Sequence, residues 1–407
     1  FQEEVLEGLS RLLGGNTTRR RAVVSLPTGA GKTRVTVEAA VRLVLAPEGP
    51  ERFVLWIAQT DELCEQAVQA FRQVWLNRGA ERMDLRIVRL WGGNGNPVEQ
   101  ETKKPLVVIA SIQTLNSRFG LQELEWLRKP GMVVVDECHY AITPSYSRLL
   151  RWLDAESSLT HAPAKGEVPL LGLSATPFRA DDEESQRLSR RFDSRWLPPN
   201  QEQLYERLHA TGVLAHAHYD PLDSGVGLTE EELERLSGPW EGLNFENLVE
   251  EINQRLATDV ARNDRLLEFI RSSTEQAILF FTNSVAHAEE MAARLSLTGI
   301  PAAAVSGSTL AVTRRYFLDC FQNGRLRVLC NHSVLSTGFD APKTDMVLIA
   351  RQVFSPVRYM QMVGRGLRGE KNGGTARCRI VTVVDNLGRF QERHPYKYCR
   401  DLYHSGS

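Results

Sequence analysis

Short apolar runs rich in β-branched residues alternate with amphipathic segments in two separate series along this chain of 407 residues. The runs of the first series are Ala22–Leu26, Phe53–Ala58, Leu85–Leu90, Leu106–Ser111, Met132–Asp136 and Leu170–Ser174. Those of the second are Ala277–Thr282, Ala302–Val305, Leu326–Cys330, Met346–Ala350 and Cys378–Val384. Runs of this length and composition indicate strands that are buried on both faces. Because they alternate with helical patterns, they predict an α/β fold built on parallel sheets.

The stretch between the two series has a different composition and divides the chain into two parts. Acidic residues at 181–184 are followed by an arginine-rich stretch, by two prolines and by a Gly- and Asp-rich stretch at 220–227. Such a change indicates a boundary between compact regions. We therefore predict a first α/β domain at 1–178, a partly helical connector or insertion at 179–262, a second α/β domain at 263–390 and a C-terminal tail at 391–407.

The charge of the chain is balanced, with 49 Lys and Arg against 50 Asp and Glu. This balance excludes a histone-like chain that binds nucleic acid by bulk charge, although a local basic channel would not alter the total. The six cysteines include no C-x-x-C pair, so that neither a zinc ribbon nor a disulfide framework is predicted. The apolar runs are too short to span a bilayer, and no signal peptide is recognised. We expect a cytoplasmic protein without a membrane partner.

The segment after the first apolar run has the composition of a phosphate-binding loop. It reads Leu-Pro-Thr-Gly-Ala-Gly-Lys-Thr at positions 26–33, between a predicted strand and a predicted helix. Glycines let backbone N–H groups turn towards a phosphate, and the helix N-terminus adds a favourable dipole. We expect Lys32 to reach the β and γ phosphates of ATP and the Thr33 hydroxyl to ligate Mg2+. The other loop residues expected to bind ATP are Pro27, Thr28, Gly29, Ala30 and Gly31. The alternative is an ordinary glycine turn between a strand and a helix.

A pair of acidic residues, Asp136 and Glu137, follows the fifth apolar run. An Asp at the end of a strand next to the phosphate loop can hold Mg2+, and its neighbour Glu137 can orient or deprotonate the attacking water. Cys138 and His139 come next, but they have no ligand partner at zinc spacing, so we predict no structural zinc. The alternative for the pair is an acidic turn after a strand.

These two motifs begin an ordered set that resembles the superfamily 2 helicases and translocases over most of the chain. The other members are FQ at 1–2, IAQTDEL at 57–63, ASIQTL at 110–115, SATP at 174–177, FTNS at 281–284, SVLSTGFDAP at 333–342 and QMVGRGLR at 361–368. The acidic motif itself reads DECH. Within the superfamily, DECH, SATPFR, GFDAP and VGRGLRG are similar to motifs of RadD-type repair helicases and of XPB-like, restriction and phage-defence motors.

The resemblance implies two RecA-like lobes with ATP in the cleft between them. It assigns adenine recognition to Gln2, and contact with the ribose or coupling between the sites to Asp340. Gln361 would contact the γ-phosphate or the water. Arg365 and Arg368 lie three residues apart and so on one helix face, from which they would neutralise charge on the transferring phosphoryl group. The alternative for the two arginines is a solvated helix face.

The resemblance also implies residues that couple ATP to nucleic acid, namely His139, Ser174 and Thr176. Small hydroxyls and backbone N–H groups near strand ends suit phosphate oxygens, which carry no sequence information. The predicted nucleic-acid contacts are Thr60, Ser111, Gln113, Thr114, Ser306, Gly307 and Thr337. Each of them can instead serve as a turn or a helix cap. We therefore expect binding that follows the phosphate backbone.

These features predict an ATP- and Mg2+-dependent nucleic-acid helicase or translocase. DNA is favoured over RNA as its partner only through the nearer resemblance. An RNA helicase with the same motor stays open, as does the motor subunit of a restriction or phage-defence complex whose nuclease is another chain. A catalytically silent nucleic-acid-binding scaffold is the alternative from another class. A partner nuclease or other subunits of a defence or repair complex are expected in the second case.

Overall fold

A computed structural model describes residues 1–14, 20–45, 53–78, 84–93, 105–118, 120–153, 168–175, 183–232, 245–332, 343–388 and 395. The chain divides into two compact units, of which one comprises Phe1–Pro27 with Gly31–Leu204 and the other Thr28–Ala30 with Tyr205–Ser407. Each unit carries one parallel sheet. Within the described ranges, none of the helices is both long and apolar enough to cross a membrane. The predicted tail at 391–407 lies outside the described residues except for Pro395.

The first unit is built on seven parallel strands. They are β1 (Arg21–Ser25), β2 (Phe53–Ala58), β3 (Arg86–Leu90), β4 (Leu106–Ser111), β5 (Met132–Val135), β6 (Leu170–Ser174) and β7 (Trp196–Leu197). Its helices are α1 (Gln2–Gly14), α2 (Lys32–Ala40), α3 (Asp61–Arg78), α4 (Ile112–Arg118), α5 (Pro144–Trp152) and α6 (Glu183–Arg191). A π turn, Val41–Leu45, extends α2, and two 3-10 helices cover Gln122–Arg128 and Cys138–Ile142. The strand order is β3-β4-β2-β5-β6-β1-β7.

Strand β2 illustrates why these runs are apolar at every position. Phe53, Leu55 and Ile57 belong to a core cluster that also contains residues of α5 and α6. Trp56 points to the opposite face, where its ring meets Phe71 of α3 edge-on at a centroid distance of 5.7 Å. Because helices cover both faces of the sheet, a central strand has no solvated side. The prediction of buried parallel strands is confirmed for the central strands, whereas the edge strand β3 is partly exposed.

The second unit is built on six parallel strands in the order β10-β11-β9-β12-β13-β8. They are β8 (His216–Gly227), β9 (Ile278–Phe281), β10 (Ala302–Val305), β11 (Val328–Asn331), β12 (Met346–Ile349) and β13 (Arg377–Asn386). The helix α7 (Gln201–Ala210) leads into this unit. The further helices are α8 (Phe245–Ala257), α9 (Val260–Ser272), α10 (Val285–Leu297), α11 (Ala311–Gln322) and α12 (Pro356–Val363), with a 3-10 turn at Glu370–Asn372.

The segment predicted as a connector supplies an edge strand to each sheet. The Gly- and Asp-rich stretch at 220–227 lies within β8, which among the described strands pairs only with β13. Pro221 has no backbone N–H to donate, and an edge strand tolerates it for that reason. The short strand β7 is the edge of the first sheet in the same way, beside β1. The connector is therefore helical in part, as predicted, and also extends both sheets.

Candidate functional site

The phosphate loop joins β1 to α2 at the carboxyl edge of the first sheet. Gly29 and Gly31 have φ angles of 84° and 85°, a left-handed conformation that glycine adopts without steric cost. The helix begins at Lys32, and the Gly31 carbonyl accepts the Val35 N–H at 3.0 Å. A Cβ atom at Gly31 would lie 3.0 Å from the Gln2 side-chain nitrogen. The Gln2 amide is thus packed against the loop.

The acidic pair lies at the same edge, directly after β5. The Asp136 N–H donates to the Ile57 carbonyl at 2.9 Å, and Asp136 Oδ1 accepts the Glu137 N–H at 3.0 Å. Both side chains are buried. Glu137 has a φ of 52°, a left-handed conformation that costs a residue with a side chain about 1–2 kcal/mol. Such strain is typical of functional sites, where the surrounding structure holds a side chain in one direction.

The two adjacent buried carboxyl groups, Asp136 and Glu137, favour a cation beside them. Burial raises the pKa of Asp136 to about 6, the neighbouring Glu137 charge adds to this rise, and Lys32 opposes it. Two adjacent buried carboxyls ionise together only when positive charge is near. The Asp136 carboxylate and the Thr33 hydroxyl are oxygen donors, the kind that Mg2+ prefers. The residues present therefore fit the predicted metal.

Two of the three predicted coupling residues lie beside this pair. His139 Nδ1 is 3.4 Å from Glu137 Oε2, a distance at which a protonated imidazole would form an ion pair. Ser174 ends β6, is fully buried, and accepts the Leu26 N–H through its carbonyl at 3.1 Å. Ser174 thereby adjoins the start of the phosphate loop. Thr176 lies outside the described residues.

The predicted nucleic-acid contacts of the first unit follow β2 and β4 at the carboxyl edge. Thr60 Oγ1 accepts a backbone N–H in the first turn of α3 at 3.4 Å, and Ser111 Oγ accepts the Thr114 N–H at 3.3 Å. The Gln113 side chain donates to the Gln59 carbonyl at 3.0 Å, which ties the two motifs together. These groups have local structural roles, in agreement with the alternative of helix caps. The caps also direct the first-turn backbone of α3 and α4 towards this edge.

In the second unit, Ser306 and Gly307 form a turn after β10. A single nitrogen of Arg314, Nη2, donates to three carbonyl oxygens of this turn, those of Ser306 at 3.1 Å, Gly307 at 3.4 Å and Thr309 at 3.2 Å. The sequence offers no signal for this role, since Arg314 is one of two adjacent arginines in a helical pattern. The Ser306 N–H donates to Thr309 Oγ1 at 2.9 Å, so the turn is held by its own side chains as well as by Arg314. Thr337 lies outside the described residues.

The arginine motif lies at the opposite edge of the second sheet. Gln361 belongs to α12, which starts after the carboxyl end of β12 and runs back along the sheet. The helix ends at Val363, so Arg365 and Arg368 lie beyond it, and the prediction that they share one helix face is wrong. Arg368 forms an isolated bridge with Leu214, two residues before the start of β8. The end of the 361–368 motif that contains Arg365 and Arg368 therefore lies near the amino edge of the second sheet. Ser306 lies at the carboxyl edge. Asp340 lies outside the described residues.

Two family models match the chain. The one described as "Type III restriction enzyme, res subunit" matches residues 1–179, and the "Helicase conserved C-terminal domain" matches residues 261–370.

Curated helicases resemble the chain over different lengths. The putative mitochondrial ATP-dependent helicase irc3 of Schizosaccharomyces pombe is 27% identical over 395 residues, which is 96% of this chain and 57% of that protein. The ATP-dependent DNA helicase uvsW of Enterobacteria phage T4 is 24% identical, with coverage of 95% and 68%. The ATP-dependent rRNA helicase RRP3 of Debaryomyces hansenii is 27% identical over 140 residues, 34% of this chain and 28% of that protein. The chain thus spans little more than half the length of the irc3 relative.

Solved structures share the fold. Saccharomyces cerevisiae Dbp5 bound to RNA and ADP BeF3 superimposes with a TM-score of 0.60 at 14% identity, covering 99% of this chain and 88% of the other. A fragment of a putative HsdR subunit of a type I restriction enzyme from Vibrio vulnificus gives a TM-score of 0.59 at 18% identity, covering 94% and 63%. These likenesses confirm the predicted fold of two RecA-like lobes with parallel sheets.

Proposed function

We propose that this chain, which belongs to the superfamily 2 helicases, hydrolyses ATP in order to move along nucleic acid. One observation carries the proposal. The phosphate loop and the acidic pair follow β1 and β5, and Ser174 ends β6, which lies between these two strands in one parallel sheet. Ligands of α/β proteins bind outside the carboxyl ends of such strands. A phosphate-binding loop and a buried carboxyl pair side by side at this edge support hydrolysis of a nucleoside triphosphate.

In the proposed reaction, the loop N–H groups and Lys32 bind the phosphates of ATP. Mg2+, when bound, neutralises charge on the phosphate oxygens, and Thr33 and Asp136 are the residues that would hold it. Glu137 accepts the proton of the attacking water, because it is the carboxylate adjacent to the metal ligand. His139, 3.4 Å from Glu137, would orient that carboxylate. Gln2, packed against the loop, would recognise adenine.

The second unit would complete the reaction through its arginine motif. We assign Arg365 and Arg368 to the charge that develops on the transferring phosphoryl group, and Gln361 to the γ-phosphate or the water. Lys32 and Glu137 belong to the first unit and the arginines to the second. Hydrolysis would therefore depend on an approach of the two units that nucleic acid promotes by binding to both. Residues 1–178 and 263–390 stay our proposal for the two lobes.

DNA is the proposed substrate. The relative named as a DNA helicase matches 95% of this chain, whereas the one named as an rRNA helicase matches 34%. The second candidate is a motor subunit of a restriction or defence complex, which is favoured by the restriction-subunit model over residues 1–179. The complete set of Lys32, Asp136, Glu137 and Arg365 argues against a silent scaffold. A cytoplasmic location stays a prediction; the fission yeast relative is named as mitochondrial.

The test is the ATPase rate of the chain with single-stranded, duplex and forked DNA and with RNA of matched length. We expect slow hydrolysis alone and faster hydrolysis with DNA. Lys32→Ala is the control, because loss of the phosphate-binding ammonium should abolish activity that belongs to this protein rather than to a contaminant. Stimulation by RNA alone would reverse the assignment of substrate. Failure of every nucleic acid to stimulate ATP turnover would exclude the motor.

A further inference from the structure

Arg351 stands at the carboxyl edge of the second sheet, in none of the motifs described above. It follows β12 by two residues, and the preceding Ala350 N–H still donates to the Phe281 carbonyl at the end of β9, at 2.9 Å. Ser306 after β10 and His332 after β11 lie at the same edge. This edge of a parallel sheet is where ligands bind in α/β proteins.

A set of buried polar side chains, here called the Arg262 network, holds the chain on both sides of Arg351. Its members are Asn253, Arg262, Asn283, Gln352 and Asp385. On one side, Arg262 Nη2 donates to the Ala350 carbonyl at 2.6 Å. The same guanidinium donates to both Asp385 oxygens, Nε at 2.7 Å and Nη2 at 3.0 Å. Ala350 is therefore fixed to a fully buried ion pair.

On the other side, Asn253 of α8 clamps the main chain of Gln352. Its Oδ1 accepts the Gln352 N–H at 2.8 Å, and its Nδ2 donates to the Gln352 carbonyl at 3.1 Å. The Gln352 side chain donates to Asp385 at 2.6 Å. A buried ion pair adds little net stability compared with apolar residues, and it can instead select a single conformation. Here the conformation that it selects is that of residues 350–352.

The network holds the main chain on both sides of Arg351, and the Arg351 side chain is subject to the charges of several neighbouring groups. Burial lowers the pKa of the Arg351 guanidinium, Glu250 of α8 opposes this change, and Arg358 in the first turn of α12 adds to it. Burial also lowers the pKa of His332, and Arg351 lowers it further. Two guanidinium groups and an imidazole thus share this edge with the Glu250 carboxylate. A partly desolvated guanidinium is the preferred partner of a phosphate group.

The phosphate in question is that of a nucleic-acid strand rather than of ATP. Arg368, which we assign to ATP, bridges Leu214 ahead of the start of β8 and so lies towards the amino edge. Arg351 lies at the other edge, which it shares with the predicted nucleic-acid residues Ser306 and Gly307. An anion at Arg351 therefore belongs to the ligand that those residues bind.

We propose that Arg351 binds a backbone phosphate of the nucleic acid and that the Arg262 network positions it. This inference rests on the proposed function and adds to it a contact outside the recognised motifs. The exposed Glu250 carboxylate acts on the Arg351 guanidinium electrostatically, so a bound phosphate would compete with it.

The test is the fluorescence anisotropy of fluorescein-labelled poly-dT and poly-U, titrated with the wild-type chain and its variants over a range of KCl concentrations. Arg351→Ala should weaken binding by about tenfold. It should also reduce the slope of log affinity against log salt by about 0.7, the value for one phosphate contact on a single strand. Glu250→Gln should tighten binding, because it removes the competing carboxylate. Arg351→Lys should keep the salt slope with intermediate affinity, since it keeps the charge but loses the planar fork.

The matched control is Arg271→Ala, which removes one arginine from the exposed surface of α9 near its C-terminal end. We expect it to leave the affinity and the salt slope unchanged. If the wild-type chain binds neither oligonucleotide, the proposed function itself fails. If it binds but Arg351→Ala has the same affinity and slope, only the present inference fails. A rise in the half-saturating ATP concentration of Arg351→Ala with unchanged oligonucleotide affinity would place the phosphate on ATP and overturn the assignment. Unfolding curves of Arg351→Ala and Arg351→Lys establish that both variants are folded.

Discussion

Replacing Asp385 with Asn tests whether the Arg262 network is a buried ion pair in solution. The Arg262 and Asp385 side chains are both 0% exposed, and Asp385 accepts hydrogen bonds from Arg262 and from Gln352. Asp385→Asn keeps the size of the side chain but leaves the Arg262 cation with only neutral acceptors, Asn283 Oδ1 and the Ala350 carbonyl. Removing one partner of a buried pair costs about 3–5 kcal/mol. For a domain of about 200 residues this is a fall of roughly 6–20 °C in melting temperature.

Scanning calorimetry measures this effect, with an exposed ion pair as the control. Glu268→Gln removes the carboxylate of the Arg271–Glu268 pair, whose side chains are 59% and 73% exposed. We expect it to change stability by less than about 0.5 kcal/mol. Arg262→Met combined with Asp385→Leu should recover most of the loss, because no charge then stays buried. An Asp385→Asn variant with the same melting temperature as the wild type would refute the argument.

Three further predictions concern the reaction and the pH dependence of stability. Glu137→Gln should bind ATP but turn it over at least about a hundredfold more slowly, because the proton acceptor is lost; wild-type turnover in a steady-state assay would contradict this role. Arg365→Ala should bind ATP and oligonucleotide yet lose about a thousandfold in stimulated kcat, and a fully stimulated variant would exclude an arginine acting on the transition state. Burial lowers the pKa of His287 from 6.5 to about 3, so the stability that its neutral form provides is complete above pH 6.5 and is lost as the pH falls towards 3. Denaturant titrations should show the wild type losing about 1.4 kcal/mol more per pH unit than His287→Gln between about pH 5.5 and about pH 4; parallel curves would argue against a neutral buried imidazole.

The strands that could be predicted from the sequence are those that consist of a continuous run of apolar residues. The run at 53–58 coincides with β2, because a central strand of a covered sheet is apolar at every position. Most of strand β8 was missed, because residues 220–227 contain Pro221, two aspartates and two glycines, which are typical of turns. An edge strand needs hydrogen bonds along one side only, so its sequence is under weaker constraint. Local composition therefore identifies the centre of each sheet better than its edges.

The same limit applies to the site. The predicted phosphate loop and acidic pair are short segments whose chemistry is complete within a few residues, so the sequence alone suffices to predict them. Arg262 and Asp385 are 123 residues apart, and no local pattern relates them. Arg351 lies between Ala350 and Gln352, and nothing in their sequence indicates that Arg262 and Asn253 bind their main-chain groups. Its surroundings depend on α8 and β13, which only the folded chain brings together.

Arg368, which we assign to ATP, and Arg351, which we assign to nucleic acid, lie towards opposite edges of the second sheet. Strand β12 has four residues, so that about 13 Å separates its two ends. If Arg368 acts on ATP and Arg351 on nucleic acid, as proposed, the hydrogen-bonded strands between the two edges are the physical connection through which one site can affect the other.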